Sequence, residues 1–589
     1  MRCFLSVVFA LLSFAVFAAY SKIKVDVSSL PEDKRFISRI VETRVNERTI
    51  PSDVADTFIV RFKYDNTLNG ETSRIRILYG CAEISASRFR SLLFGAGKFL
   101  RKIQYGSKTF DVNAGEFLIV QSKEFRQIYF ARHFNTWYHR ASVDELMRYI
   151  DDLALTGINA IQTFPAVAAV DLAYSDKSEQ QSFKAVTKAI ADHLKEMDMA
   201  FTVSGGNNVS GKKIPTELKA MPYAPHIMRG FSHFSVCPSI DGGYELLIDE
   251  RKRALSATDG LSVDNFIYWP YDEGGCACDK CSPWGGRGYL KMIEKLSVIN
   301  RGKHPASKHI VSTWLFDEED WNGLYKYIES NKGVDYLLVD SHDQFPEFPL
   351  RNPVPKNVPI ITFPEVSMWG RFPWGGTGAT PLPRRFEKLF RDVERVVSGF
   401  SIYSEGLFDD ITKFVITSLY SNPEISYKDA LIEYCNYEFP GANPEEFITL
   451  IELLEDIHQT SLDPKAHAGN TSNNSFANYV KYGNPIELER RSKIAKRAKG
   501  LAKSIESSML LVRRKNWRWR QIALRAEIDA SVYETRDIRN DKAIVAYNEL
   551  IEIYHAQRQY QLLCEGCPFA GYTCPPLVDH FETTKGERK

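Results

Sequence analysis

Neither sign of charge is in excess in this sequence. Lys and Arg number 75 and Asp and Glu 74, giving a net charge of +1 over 589 residues. That excludes a general nucleic-acid binder and a protein that adheres to anionic membranes, since both need a basic surplus. Long apolar runs are also missing beyond the first residues, so no later segment reads as a membrane span. No internal repeat is present. What remains is an ordinary globular composition, 44% hydrophobic and 25% charged, on a chain long enough for two to four domains.

Residues 1–19 read as a secretory signal: Arg2 is the positive n-region, Phe4–Phe17 the apolar h-region, and Ala18 or Ala19 the small residue at the cut. A retained N-terminal anchor is the alternative. The mature protein is expected to be secreted or periplasmic, with no stable membrane span. Ten cysteines are present, and Cys3 leaves with the signal. The odd remainder means that at least one thiol stays free, binds metal or pairs between chains.

Residues 22–122 read as a small α/β domain. Phe58–Tyr64 and Arg74–Tyr79 have strand patterns, Asn66–Gly70 is the turn between them, and Ser85–Leu100 has helical spacing weakened by Gly95 and Gly97. From residue 123 to 421 strand and helix alternate. Ser142-Val143-Asp144-Glu145 is a capping box, and Gly157 ends the helix it opens. Strand candidates are Ile128–Phe134, Ile158–Phe164, Ala200–Ser204, Phe231–Val236, Asn265–Trp269, His309–Leu315, Tyr336–Val339, Val358–Phe363 and Gly399–Tyr403. This rhythm, over roughly 290 residues, predicts a (β/α)8 barrel. One candidate, Phe231–Val236, is surplus to the eight places. Residues 422–563 read as a helical domain, with helices at Tyr427–Tyr437, Pro444–Thr460, Pro485–Leu511, Trp517–Arg536 and Asp541–Leu563; 564–589 form a tail with cysteines. The basic residues Arg490–Lys499 and Arg513–Lys515 read as a solvated helix face.

The stretch Asn265–Leu290, NFIYWPYDEGGCACDKCSPWGGRGYL, is the most informative. A short apolar strand runs into a loop with adjacent carboxylates, Asp272 and Glu273, amid Tyr268, Trp269, Tyr271 and Trp284, aromatic rings that can stack on a sugar. A carboxyl with a pKa raised by burial and by its neighbour can protonate a leaving oxygen. The same stretch reads without function as an acidic loop among core aromatics. In a barrel the active site lies at the C-terminal strand ends. Polar and aromatic residues recur there: His133, Trp137 and His139 after the first strand, Asn207 and Asn208 after the third, then Trp314, Asp340, Glu365 with Trp369 and Trp374, and Tyr403 with Glu405.

Cys276, Cys278 and Cys281 follow the acidic pair as C-x-C-x-x-C. Three readings are open: three thiolates of a zinc site with a fourth ligand from elsewhere, disulfides with each other or with Cys237, or packed free thiols. Cys564, Cys567 and Cys574 form a second cluster open to the same readings. No thioredoxin-like βαβ context surrounds either, which disfavours a redox C-x-x-C. No cofactor is expected, apart from the structural zinc that the first of these readings would supply.

Ile84–Leu100, ISASRFRSLLFGAGKFL, the stretch Val236-Cys237-Pro238-Ser239, and Tyr271-Asp272-Glu273 together carry a resemblance. Over about residues 25–440 the chain resembles the barrel glycoside hydrolases of family 20, the β-N-acetylhexosaminidases, and their relatives in families 67 and 84. The block C-x-C-x-x-C-x-P-W-G departs from the family 20 pattern. The helical C-terminal region resembles extensions in families 67 and 84. The resemblance implies Glu273 as general acid/base and Asp272 as the group that orients a 2-acetamido substituent, whose oxygen attacks the anomeric carbon. It implies Trp314, Trp369 and Trp374 as walls and Tyr403 and Glu405 as holders of hydroxyls. The expected partner is an oligo- or polysaccharide. Two alternatives stand beside this reading. One is an inverting hydrolase of uronic-acid-bearing glycans that pairs Glu273 with Asp340, Glu365 or Glu405. The other is a non-catalytic glycan-binding barrel.

Overall fold

The structure, a computed structural model, describes residues 20–50, 56–132, 136–163, 177–206, 208, 214–221, 235–271, 275–330, 333–341, 344–366, 379–458, 480–537 and 540–555. The N-terminal signal, the acidic pair Asp272–Glu273, His133, Asn207, Trp369, Trp374 and the second cysteine cluster lie outside the described residues.

The first strands form one sheet: β1 (Tyr20–Asp26), β2 (Asp56–Tyr64), β3 (Thr72–Leu78), β4 (Cys81–Ala86), β5 (Gln104–Tyr105), β6 (Phe110–Asp111) and β7 (Gly115–Val120), in the order β5-β6-β1-β2-β4-β3-β7. Ser85 and Ala86, which helical spacing assigns to the following helix, instead complete β4. That strand pairs on both edges, with β2 and with β3, and the two ladders override local preference. The helix runs over Phe89–Leu100. Its two glycines are where it presses on its neighbours. A Cβ on Gly97 would stand 1.8 Å from the carbonyl oxygen of Leu155, on the helix Val143–Thr156. Only glycine permits that approach.

Eight parallel strands then close a barrel: β8 (Phe125–Phe130), β9 (Ala160–Thr163), β10 (Ala200–Gly206), β11 (Asn265–Trp269), β12 (Lys308–Ser312), β13 (Tyr336–Asp340), β14 (Ile360–Phe363) and β15 (Val397–Ser404). Closure falls between β15 and β8, with Gly399 opposite Phe125. The surplus candidate resolves as expected. Among its described residues, Val236 makes only an isolated antiparallel bridge to Lys219, outside the barrel. The capping box is formed: Ser142 accepts from the Glu145 amide, and the Glu145 carboxylate accepts from the Ser142 amide. Gly157 ends that helix at φ 113°.

Helices at Tyr427–Glu438, Pro444–Ile457, Pro485–Ser508, Trp517–Thr535 and Asp541–Ile553 follow. No described helix is long and apolar enough to cross a membrane. The basic stretches are not uniformly solvated, which corrects the sequence reading. Lys493 and Lys496 face water, but Arg513 is 3% exposed and its guanidinium binds Glu438 at 2.6 Å. Glu438 also takes Arg48 from the N-terminal region at 2.9 Å, while Arg518 bridges Asp410 (2.9 Å) and Asp152 (3.0 Å) on barrel helices. Arginine suits such buried forks because its planar guanidinium pairs in two directions and stays charged. This ionic seam ties all three regions together.

Candidate active site at the barrel mouth

Alternation along each strand sorts its side chains into two sets. Outward residues such as Ile128, Phe201, Phe266 and Leu337 pack under the helices. Inward residues Phe125, Tyr129, Ile267, Ile310, Tyr336, Leu338, Ile361, Phe363 and Tyr403 form a separate cluster inside the barrel. A polar belt crosses it: the Gln127 amide donates to Gln162 Oε1 (2.9 Å) and to Ser401 Oγ (2.7 Å).

Above that belt lies an aromatic floor. Tyr129 and Tyr403 meet at 5.2 Å between ring centroids, Tyr403 and Phe363 at 6.0 Å, Phe363 and Trp269 at 5.1 Å, Phe363 and Trp314 at 5.9 Å, and the two tryptophans at 6.4 Å. All five contacts are edge-to-face, the arrangement ring quadrupoles favour. Trp269 and Trp314 are half-buried, whereas Tyr129, Phe363 and Tyr403 are buried.

The inward register continues into carboxylates. Asp340 follows Tyr336 and Leu338 on β13, Glu365 follows Ile361 and Phe363 on β14, and Glu405 follows Ser401 and Tyr403 on β15, each two residues on. Glu365 bridges to Tyr403 across the strand ends. The Tyr403 hydroxyl donates to Glu405 Oε1 at 2.6 Å. Glu365 is 4% and Glu405 1% exposed. Three strands thus bring carboxylates to the rim of an aromatic floor.

Asp272 and Glu273 lie outside the described residues, but the described residues before and after them are clamped. Before them, the Trp284 indole donates to the Pro270 carbonyl (2.5 Å), and the Tyr271 hydroxyl donates to Asp320 Oδ2 (2.7 Å) while accepting from the Gly285 amide (3.1 Å). After them, Asn208 holds Gly275 from both sides. Its amide oxygen accepts from Gly275 N (3.0 Å), and its amide nitrogen donates to the carbonyls of Gly275 and Val236 (3.1 Å each). Burial pushes the Asp320 carboxyl up to about 6.

These contacts correct part of the sequence reading. Tyr268 and Trp284 are 0% and Tyr271 3% exposed, so none offers a ring face to a sugar. Tyr268 points outward, its hydroxyl paired with His309 Nδ1 (2.7 Å) and accepting from Asn300 (2.8 Å). Trp137 is also committed to packing: it is 4% exposed and edge-on to Tyr138 and Tyr149, both at 5.6 Å. His139 sits half-buried against Phe183. Tyr129 and Phe363 belong to the floor and were missed; inward parity with Phe125 and Ile361 is the signal that finds them.

Beside the loop, Cys237 joins Cys276, Cys278 and Cys281. The four Sγ atoms lie within 4.8 Å of one another, Cys237 being 3.8 Å from Cys278 and 4.0 Å from Cys281. None of the four is in a disulfide. Hydrogen bonding from Cys281 draws the Cys276 thiol down to about 5, while burial pushes Cys237 up to about 11.

No protein-family model matches the chain, and no curated protein matches it in sequence. In structure it is similar to the family 89 glycoside hydrolase of Clostridium perfringens, solved with its substrate GlcNAc-α-1,4-galactose, at a TM-score of 0.59 and 11% identity over 91% of this chain and 64% of that one. The chain therefore spans less than two thirds of that enzyme. It is also similar to a family 115 4-O-methyl-α-glucuronidase with specificity for decorated arabinogalactans (TM-score 0.57, 10% identity, 98% of this chain, 81% of that one). A family 138 enzyme targeting pectin rhamnogalacturonan II follows (0.54, 10%, 95% and 74%). Structures from families 20 and 84 align at TM-scores of 0.48 and 0.46. The chain has the fold of a glycoside hydrolase barrel.

Proposed function

We propose that this chain is an exported glycoside hydrolase, with Glu273 as general acid/base and Glu365 as the second carboxylate. The observation that carries the reading is the inward alignment of Asp340, Glu365 and Glu405 around the aromatic floor of Trp269, Phe363, Trp314 and Tyr403. A half-buried indole beside buried carboxylates suits a pyranose ring, which offers an apolar face and a rim of hydroxyls. Glu273 follows Trp269 by four residues in sequence, and the described residues on either side of it, Tyr271 and Gly275, are held by hydrogen bonds. Glu365 is buried and continues the inward face of β14. Asp340 and Glu405 then hold hydroxyls. The family 89 neighbour was crystallised with its substrate as a variant with two glutamates replaced by glutamine, which is consistent with a two-glutamate site.

A second reading rests on the adjacency of Asp272 to Glu273: Asp272 orients a 2-acetamido group that itself attacks the anomeric carbon. Proton NMR of the first-formed anomer, on paired aryl glycosides with and without that group, separates the two. The two-carboxylate reading expects Glu273→Gln and Glu365→Gln each to lower turnover at least about a hundredfold without loss of folding. If Glu365→Gln retains activity while Asp272→Asn abolishes it, only on acetamido sugars, the second reading replaces the first. Near-normal activity of a folded Glu273→Gln protein removes both.

A further inference from the structure

We propose that Cys237, Cys276, Cys278 and Cys281 bind one structural Zn2+ as four thiolates. The site stands on geometry and is independent of the reaction assigned above. A tetrahedron of Zn–S bonds of about 2.3 Å has sulfur–sulfur edges of about 3.8 Å. The recorded separations are 3.8 and 4.0 Å, with all four sulfurs inside 4.8 Å. A disulfide requires about 2.05 Å, and two disulfides would separate the sulfurs into pairs. Here Cys237 stands within 0.2 Å of the same distance from two different partners. The shared enclosure is sized for one ion and leaves no space for bridging sulfides.

The surroundings are those of a thiolate site. The backbone amides of Cys281 and Ser282 both donate to the Cys278 carbonyl at 2.9 Å, a turn that fixes the segment carrying Cys278 and Cys281. The Ser239 hydroxyl lies 3.1 Å from Cys281 Sγ. Such outer donors orient ligands and spread their negative charge. Three of the four cysteines are 0–1% exposed, and four protein ligands leave no open position, so the ion is structural and not catalytic. Its mechanical effect is specific. It ties the segment at Cys237 to the segment of Cys276–Cys281, which follows Asp272 and Glu273 in sequence, where Asn208 already bridges Val236 and Gly275.

The test is elemental analysis of the full-length protein, purified without chelator or added metal. About one zinc per chain is expected, released stoichiometrically by an organomercurial and read with a chromogenic chelator. Cys278→Ser and Cys237→Ser lose the zinc, whereas Cys435→Ser, which removes a buried thiol elsewhere, keeps it. Should the serine variants not fold, wild-type protein produced with Co2+ in place of zinc shows the charge-transfer absorption of a tetrahedral tetrathiolate. Folded protein with no metal, disulfides among these four cysteines by peptide mapping, bound iron in place of zinc, or zinc retained in both serine variants overturns the assignment.

Discussion

Asp320 and Asp409 invite comparison. Both are 0% exposed, and burial pushes both carboxyls up to about 6. Their partners differ in kind. Asp320, on the helix after β12, accepts from neutral donors, the Tyr271 hydroxyl at 2.7 Å and the Gly286 amide at 2.9 Å. Asp409, just past β15, faces the Lys413 ammonium at 2.6 Å. That ammonium donates in turn to the Tyr138 and Tyr149 hydroxyls and the Gly406 carbonyl, each at 2.8 Å. The first arrangement fixes Tyr271, the residue before Asp272, against the helix after β12. The second steadies the strand end that carries Tyr403 and Glu405. One rim of the mouth is thus held by dipoles and sulfur, the other by buried charge. The two rims should fail differently.

The largest effect is expected on the charged side. Lys413→Met leaves Asp409 buried without a counter-charge, which costs about 3–5 kcal/mol when one partner of a buried pair is removed. Urea unfolding at neutral pH measures it, and adding Asp409→Asn in the same chain should recover part of the loss. A cost under about 1 kcal/mol would show that the pair does not support this rim.

A smaller, pH-dependent effect isolates the other side. The Asp320 carboxyl has a folded pKa above its ordinary 3.8, so the folded state holds the proton more tightly. This contribution is complete below about pH 4 and is lost as pH rises through about 6. Relative to Asp320→Asn, the wild type should therefore lose on the order of 2–3 kcal/mol of stability between pH 4 and pH 7. Parallel unfolding profiles for the two proteins would contradict the buried, neutral-donor description of this site. Tyr271→Phe, which removes one hydroxyl bonded to both Asp320 and the Gly285 amide, should cost about 1–2 kcal/mol and, if Glu273 is the acid as proposed, lower turnover more than it raises KM, because the residue before the acidic pair is then held less tightly.

The two rims were also unequally legible in the sequence. Asp340, Glu365, Tyr403 and Glu405 stand out in the sequence because the C-terminal ends of barrel strands are a pattern of one dimension. Their common inward register is seen in space. Cys276, Cys278 and Cys281 were visible as a local spacing, but Cys237 lies 41 residues before Cys278. No spacing rule joins it to them, and it stood only as a disulfide option. The same limit hid the Lys413–Tyr138 contact, which spans 275 residues. Tyr268 and Trp284 were misread for another reason. Aromatic residues beside a polar loop look alike in sequence whether they face the cleft or the helices, and only the outward parity of Tyr268 next to inward Ile267 and Trp269 separates them.

The smallest effect sharpens the comparison at the substrate itself. Tyr403 donates to Glu405 Oε1 at 2.6 Å, and its ring forms part of the floor. If Glu405 holds a sugar hydroxyl in ground state and transition state alike, Tyr403→Phe keeps the ring and loses only the group that fixes the carboxylate. A hydrogen bond of about 1 kcal/mol corresponds to roughly a fivefold change in affinity. KM should rise by that factor with kcat nearly unchanged, the signature of uniform binding lost. The opposite split, a fall in kcat at constant KM, would move Glu405 from holding substrate to sharing in the chemistry. The charged rim would then carry a reacting group, and Lys413→Met should affect turnover beyond its effect on stability.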